Sequence, residues 1–167
     1  IDLLEVQDVP ALCNVVLLQT VLSEVKHRDL SVFHRLRNIL NNDTRRFFLF
    51  ANEHHVNTYS KQLPEETSND YNDRLIRKAC QWYKDTLGDR VNIVMLSDDR
   101  DNRRKGHAAG LQAVSCRQFC NSIKDQYPVV MEKLAVKEGG EAEAETETDH
   151  NGEDGGAGPR STKKKLP

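Results

Sequence analysis

Hydrophobic positions along the chain change period several times. Asn14-Val15-Val16-Leu17-Leu18 is a short β-branched apolar run, the pattern of a strand buried on both faces of a parallel sheet. A helical stretch follows from Thr20 to about Arg28, with Thr20 as its N-cap and Glu24 in its second turn. Ser31 caps a second helix through about Leu40, in which Val32, Leu36, Ile39 and Leu40 recur at helical spacing. Arg46 to Ala51 reads as the next strand, and a long polar connection, Asn52 to Ser68, comes after it. The clearest helix begins at Asn69 or Asp70, carries an apolar stripe of Leu75, Ile76, Ala79, Cys80, Tyr83 and Leu87, and is closed by Gly88. Val91 to Leu96 predicts a third strand and Arg100 to Ala109 a charged helix closed by Gly110. Leu111 to Val114 predicts an edge strand, and Cys116 to Lys124 a last helix.

Strands alternating with helices of this length predict βαβ units, hence an α/β three-layer sandwich (α/β/α) around a central parallel sheet. No apolar run approaches the roughly 20 residues of a bilayer span, so no membrane partner is expected. The chain opens on Ile1 rather than Met, and no cationic stretch precedes an apolar one. It reads as a segment of a longer protein and not as a signal peptide.

Composition splits the chain near residue 137. Beyond that point lie eight acidic residues, six of the nine glycines and no aromatic side chain. Such a stretch buries too little apolar surface to offset its ordering entropy, which predicts a disordered linker over 137–167 and a folded domain over 1–136. The closing Lys163-Lys164-Lys165 reads as part of a solvated linker before it reads as a nuclear localisation signal. The net charge of the whole chain is -2, so a nucleic-acid footprint has to be a local patch. Cys13, Cys80, Cys116 and Cys120 form no dense disulfide framework, which points to a reducing intracellular compartment. Cys116 and Cys120 lack the second ligand pair that a structural zinc site requires.

An open parallel sheet binds its ligands beyond the carboxyl ends of its strands. Acids gather there: Glu24 after the first strand, Glu53 after the second, and Asp98 and Asp99 after the third, with Asp70 and Asp73 in the first turn of the long helix. Taken singly, Asp70 and Asp73 are explained by the helix dipole, and Asp98-Asp99-Arg100-Asp101 by a capped turn. Glu24, between Val21, Leu22 and Val25, is harder to explain that way. Carboxylates from three elements on one edge suggest a hard-cation site for Mg²⁺ or Mn²⁺, suited to metal-assisted phosphodiester hydrolysis with two ions about 3.5–4 Å apart. Arg100, Arg103, Arg104 and Lys105 are then phosphate-binding candidates, or else a solvated face balanced by Asp98, Asp99 and Asp101. A nucleophilic Ser or Cys paired with His, a glycine-rich phosphate loop and the aromatic platforms of a glycosidase have no pattern here. A receiver-like domain would need a Lys after its last strand, where Ser115-Cys116-Arg117 stands.

Four ordered blocks carry a resemblance: Gln19 to Arg28, Phe50-Ala51-Asn52-Glu53-His54-His55, Asn69-Asp70-Tyr71-Asn72-Asp73-Arg74-Leu75-Ile76-Arg77, and Ser97-Asp98-Asp99-Arg100-Asp101-Asn102-Arg103. Over roughly residues 1–124 the chain resembles the PIN domain found in the catalytic subunit of the eukaryotic RNA exosome, a subunit that also carries a ribonuclease-II-type 3′-to-5′ exonuclease module. The resemblance implies an endoribonuclease that prefers Mn²⁺, with Mg²⁺ as the other candidate, and that cleaves single-stranded RNA through four clustered acids. Three of them map to Glu24, Asp73 and Asp99, which leaves Asp70, Asn69 and Asp98 in supporting or capping roles. The fourth belongs to an Asp-Thr-Asn turn closing a first strand expected before Ile1, and Asp2 and Glu5 are not its equivalents. Without that acid the chain is expected to cleave weakly or not at all. Asp98 stands where Asn is usual and Tyr71 where a basic residue is usual. The resemblance also implies exosome core subunits as partners and a role in rRNA processing and RNA decay. It implies the nucleus, including the nucleolus, with the cytoplasm as a second compartment. The alternative it allows is an incomplete domain that serves only to tether the subunit to the exosome core.

Overall fold

Side-chain shape and local end chemistry account for most of the elements. The computed structural model of the chain describes Leu4, Val9 and residues 12–132; the linker expected over 137–167, together with Asp2 and Glu5, lies outside the described residues. β1 (Val15–Leu18) and β2 (Phe47–Phe50) consist of β-branched, Leu and aromatic residues that suit a pleated surface. They pair in parallel, with Val15 opposite Phe47 and Leu18 opposite Phe50. β3 (Val94–Leu96) and β4 (Gln112–Val114) form a second parallel pair, with Met95 opposite Ala113.

The α/β alternation with parallel pairing is as expected, and the described residues form two parallel pairs. The strands are not buried on both faces, because Val16, Phe48, Leu49, Val94 and Leu96 are exposed.

Helices accompany the strands, among them α1 (Gln19–Arg28), α2 (Leu30–Leu40), α3 (Ser68–Leu87), α4 (Arg100–Ala108) and α5 (Cys116–Ile123). Their starts shift from the expected caps. α1 runs straight on from β1, and Thr20 lies inside it, buried. Asp29 rather than Ser31 caps α2, accepting the Val32 N–H at 3.0 Å. Thr67 caps α3, accepting the Asp70 N–H at 3.1 Å while its hydroxyl donates to Asp70 Oδ2 at 2.6 Å. Gly88 ends α3 at φ +56°, where only glycine is free of strain, and the turn Gly88–Arg90 delays β3 to Val94.

α3 joins the two strand pairs. Its Ile76 and Cys80 pack on Met95, Leu111 and Ala113, while Trp82 stacks on Phe50 of β2 at 5.2 Å with 13° between the rings. α4 lies close against β3 and β4 because position 106 is glycine; a Cβ there would meet Met95 Cε at 3.0 Å and Ala113 Cβ at 3.4 Å. A second cluster of Val9, Leu12, Cys120 and Val130 seats α5.

The connection between β2 and α3 is long but pinned. Arg74 forms a fork on Glu66 with two 2.7 Å bonds, Tyr71 Oη donates to Ser60 O at 2.9 Å, and Lys78 Nζ donates to Tyr59 O at 2.6 Å. Three α3 side chains thus replace the backbone ladder that a loop lacks.

Candidate functional site

The three helices that follow β1, β2 and β3 bring three acids toward one region. Glu24 lies one turn into α1, whose start is fixed by a buried pair: Asn52, just past β2, accepts the Thr20 N–H at 3.2 Å and donates to Thr20 Oγ1 at 2.8 Å. Asp73 lies in the second turn of α3, facing α4. Asp99 is the N-cap of α4 and accepts the Asn102 N–H at 2.7 Å. Capping and site membership are therefore combined in one side chain.

Each acid is held in the same way. Glu24 Oε1 accepts from Asn72 Nδ2 at 2.7 Å, Asp73 Oδ1 from Asn102 Nδ2 at 2.8 Å, and Asp99 Oδ1 from the Asn102 backbone at 2.7 Å. In every case one carboxylate oxygen is bound by an asparagine, and no hydrogen bond or ion pair among the described residues engages the other.

The electrostatics agree with this clustering. Desolvation raises the Asp73 carboxyl above its ordinary pKa; the Asp99 and Glu24 charges push the same way, while Arg77 and Lys105 pull against them. Negative charge that is costly to hold and exposed on free oxygens is the arrangement a cation relieves. The donors are carboxylate oxygens only, hard ligands that fit Mg²⁺ or Mn²⁺. Among the described residues, however, no three His, Cys, Asp or Glu side chains form a complete ligand group. The set fits in chemistry and is short in number. A cavity of about 300 Å³ opens beside Glu24, lined also by Glu53, the acid expected after the second strand, and by Thr20, Ser23, His27, Arg28 and Asn72.

The other expected residues divide. Asp70 is tied into the Thr67 cap, as its capping role requires. Asp98 accepts at 2.9 Å the N–H of Cys116, the first residue of α5, whose N-cap is Ser115. Asn69 is exposed at the start of α3, and no hydrogen bond joins it to the acids; Asn72, one turn later, holds Glu24 instead. Of the four basic candidates, Arg103 donates to Ser97 O at 2.8 Å, and Arg104 and Lys105 are both paired with Asp101, at 2.7 and 2.6 Å. Those two cations hold the Asp101 carboxyl down to about 2. Arg100 is exposed and has no side-chain partner among the described residues. The thiols of Cys80 and Cys116 are pushed up to about 11, first by burial, so both stay protonated at neutral pH.

Asn72, Asn102 and Arg77 carry no site motif of their own in the sequence, and Asn52 stands there only beside Glu53 after the second strand. One signal was available: asparagine is a poor helix former, and a buried one in a helix interior needs a partner. Asn102 is 1% exposed.

Among the described residues no helix is long and apolar enough to cross a membrane. A PIN domain family model matches residues 3–117. The chain is 36% identical over 148 residues to the human protein named exosome complex exonuclease RRP44, covering 84% of this chain and 15% of that protein. It is 38% identical over 135 residues to exosome complex exonuclease RRP44 homolog A of Arabidopsis thaliana, covering 81% of this chain and 14% of that one. The solved structure of the T. brucei RRP44 PIN domain superposes with a TM-score of 0.58 at 28% identity, covering 73% of this chain and 74% of that one. The chain thus spans about one-seventh of the length of these curated relatives.

Proposed function

The chain belongs to the PIN domain family, and from that premise we propose that it is the divalent-metal endoribonuclease domain of an exosome ribonuclease, cleaving single-stranded RNA. The observation that carries this reading is the shared disposition of Glu24, Asp73 and Asp99, each fixed through one oxygen and open at the other. A bound Mn²⁺ or Mg²⁺, one ion or two, supplies the positive charge that phosphodiester hydrolysis needs on its attacking and leaving oxygens. The chain's own part is to hold the acids at fixed spacing, to keep Asp73 partly desolvated and to leave space beside Glu24 for a substrate strand. The longer protein's exonuclease activity, its roles in rRNA processing and RNA decay, its association with exosome core subunits and its nuclear location belong to the same proposal. They rest on what the relatives are named for and on the sequence resemblance.

Circular single-stranded RNA isolates the activity, because it offers no end to an exonuclease. In a version extended upstream to include the expected first acid, cleavage of the circle should require Mn²⁺ or Mg²⁺ and nearly vanish in Asp73→Asn or Asp99→Asn. Asp70→Asn should cost much less, since Asp70 serves the α3 cap. Full cleavage by Asp99→Asn would sink the reading.

One observation favours a second reading, a tether to the exosome core: the described acids do not make a complete ligand group. On that reading an Asp73→Asn, Asp99→Asn double variant should still pull down core subunits.

A further inference from the structure

Asn102 and Arg77 are two polar side chains that the proposed reaction leaves without a role. Asn102 is the third residue of α4 and is 1% exposed, yet every polar atom of its amide is used. Its Nδ2 donates to Asp73 Oδ1 at 2.8 Å, its Oδ1 accepts from Arg77 Nη1 at 2.6 Å, and its backbone N–H donates to Oδ1 of the N-cap Asp99 at 2.7 Å. The amide orientation is unambiguous, because a flip would set its NH₂ against the guanidinium and its oxygen against the carboxylate.

From this geometry we infer that Asn102 is the positioning residue of the acidic site, clamping Asp73 of α3 and Asp99 of α4 at fixed spacing, and that Arg77 orients it. The inference rests on the metal-site reading above. A guanidinium placed directly on Asp73 would form a bidentate fork and occupy both carboxylate oxygens, as Arg74 does on Glu66. With the Asn102 amide interposed, Arg77 lends its charge to Asp73 while taking no carboxylate lone pair, and the second oxygen stays open to a cation. The amide also couples the two acids, because the residue whose side chain holds Asp73 is the one whose backbone holds Asp99. A shift of α4 relative to α3 therefore has to stretch the Asn102–Asp73 bond, which resists any change in the spacing of the two acids.

Partners of this kind typically change metal affinity by about 10–100-fold when removed. The probe is Mn²⁺ alone, its free concentration read by electron paramagnetic resonance, with the upstream-extended chain at one pH and with folding checked by thermal melting. Asn102→Leu keeps the branched shape at a larger volume and removes both amide bonds, and it should weaken Mn²⁺ binding about tenfold or more. Cleavage should shift to higher Mn²⁺ with the maximal rate largely recovered at saturation, a split that a general loss of stability would not produce. Arg77→Met leaves the amide in place but unoriented and should weaken binding by a smaller factor, and Arg77→Lys should recover part of the loss. If Asn102→Leu fails to fold, the Arg77 pair still tests the inference. Unchanged Mn²⁺ affinity in a folded Asn102→Leu, or in Arg77→Met when the first variant does not fold, overturns this inference and leaves the proposed function standing. A parent protein that binds no Mn²⁺ overturns both.

Discussion

Thr20 and Asn52 are 32 residues apart in the chain and grip each other in both directions, the Thr20 N–H donating to Asn52 Oδ1 and Asn52 Nδ2 donating to Thr20 Oγ1. Both are buried, at 1% and 0% exposure. The pair fixes the end of β2 to the start of α1, four residues before Glu24. Asn52→Ala leaves the Thr20 N–H, one of the first donors of α1, buried without a partner. A loss of about 2–4 kcal/mol is expected from a stranded donor together with a small cavity. Urea denaturation at neutral pH measures it, and a loss below the error of the fit would mean that water takes the amide's place.

The strands and helices were legible because apolar residues recur at one period in Val15–Leu18 and at another in Leu75, Ile76, Ala79, Cys80 and Tyr83. The acids were legible because Glu24, Asp73 and Asp99 follow three separate strands. What decides their geometry was not. Asn72 reaches Glu24 across 48 residues, Asn102 reaches Asp73 across 29 and Arg77 reaches Asn102 across 25, and no local period encodes such pairs. The α3 cap lay in plain view as Thr67-Ser68-Asn69-Asp70, the spacing at which a hydroxyl and an acid three residues on satisfy a helix start. Which strands pair had no local signature, since strand–strand adjacency is a property of the assembled layer.

Asp73 should make the metal-free protein less stable than it could be. Its pKa is raised in the folded state above the ordinary 3.8, chiefly by desolvation and then by Asp99. The folded chain therefore holds its proton more tightly than the unfolded chain does. Stability from this group is fully present below the ordinary value and is lost as pH rises through the raised one. Asp73→Asn removes that titration and should melt a few degrees higher than the parent at pH 7 in the presence of a chelator. The gap should close below about pH 4, where both side chains are neutral. A gap that stays constant across the pH range would mean that charge is not its cause.

Glu66 behaves in the opposite sense. Its hydrogen bonds to Arg74 and to the Leu63 N–H hold the carboxyl down, from 4.5 to about 2. A depressed acid contributes stability above its ordinary value, and that contribution is lost as pH falls from 4.5 toward 2. The element it serves is the 52–67 connection, so the effect is local. At neutral pH, Glu66→Gln should speed protease cleavage within that connection several-fold, while the melting temperature moves little. Equal cleavage rates would show that Tyr71 and Lys78 suffice to hold the connection on α3.

The basic residues of α4 make a sharper case, because Asp101 neutralises two of them. Arg104 and Lys105 both converge on its carboxylate, at 2.7 and 2.6 Å, whereas Arg100 stands exposed at the helix start. If α4 lines the path of a single-stranded RNA, Asp101→Asn should release two cations and tighten binding several-fold at low salt. Arg100→Ala should weaken it. Counterion release sets the scale: each phosphate contact on a single strand changes the slope of log affinity against log salt by about 0.7. Asp101→Asn should therefore steepen that slope by roughly one to two such increments, and Arg100→Ala should flatten it by about one. Fluorescence anisotropy of a labelled oligoribonucleotide, with chelator present to prevent cleavage, reads both quantities. If neither affinity nor slope responds in Asp101→Asn, the α4 cations are a solvated face and the RNA runs elsewhere, along the α1 side, where the cavity beside Glu24 carries His27 and Arg28.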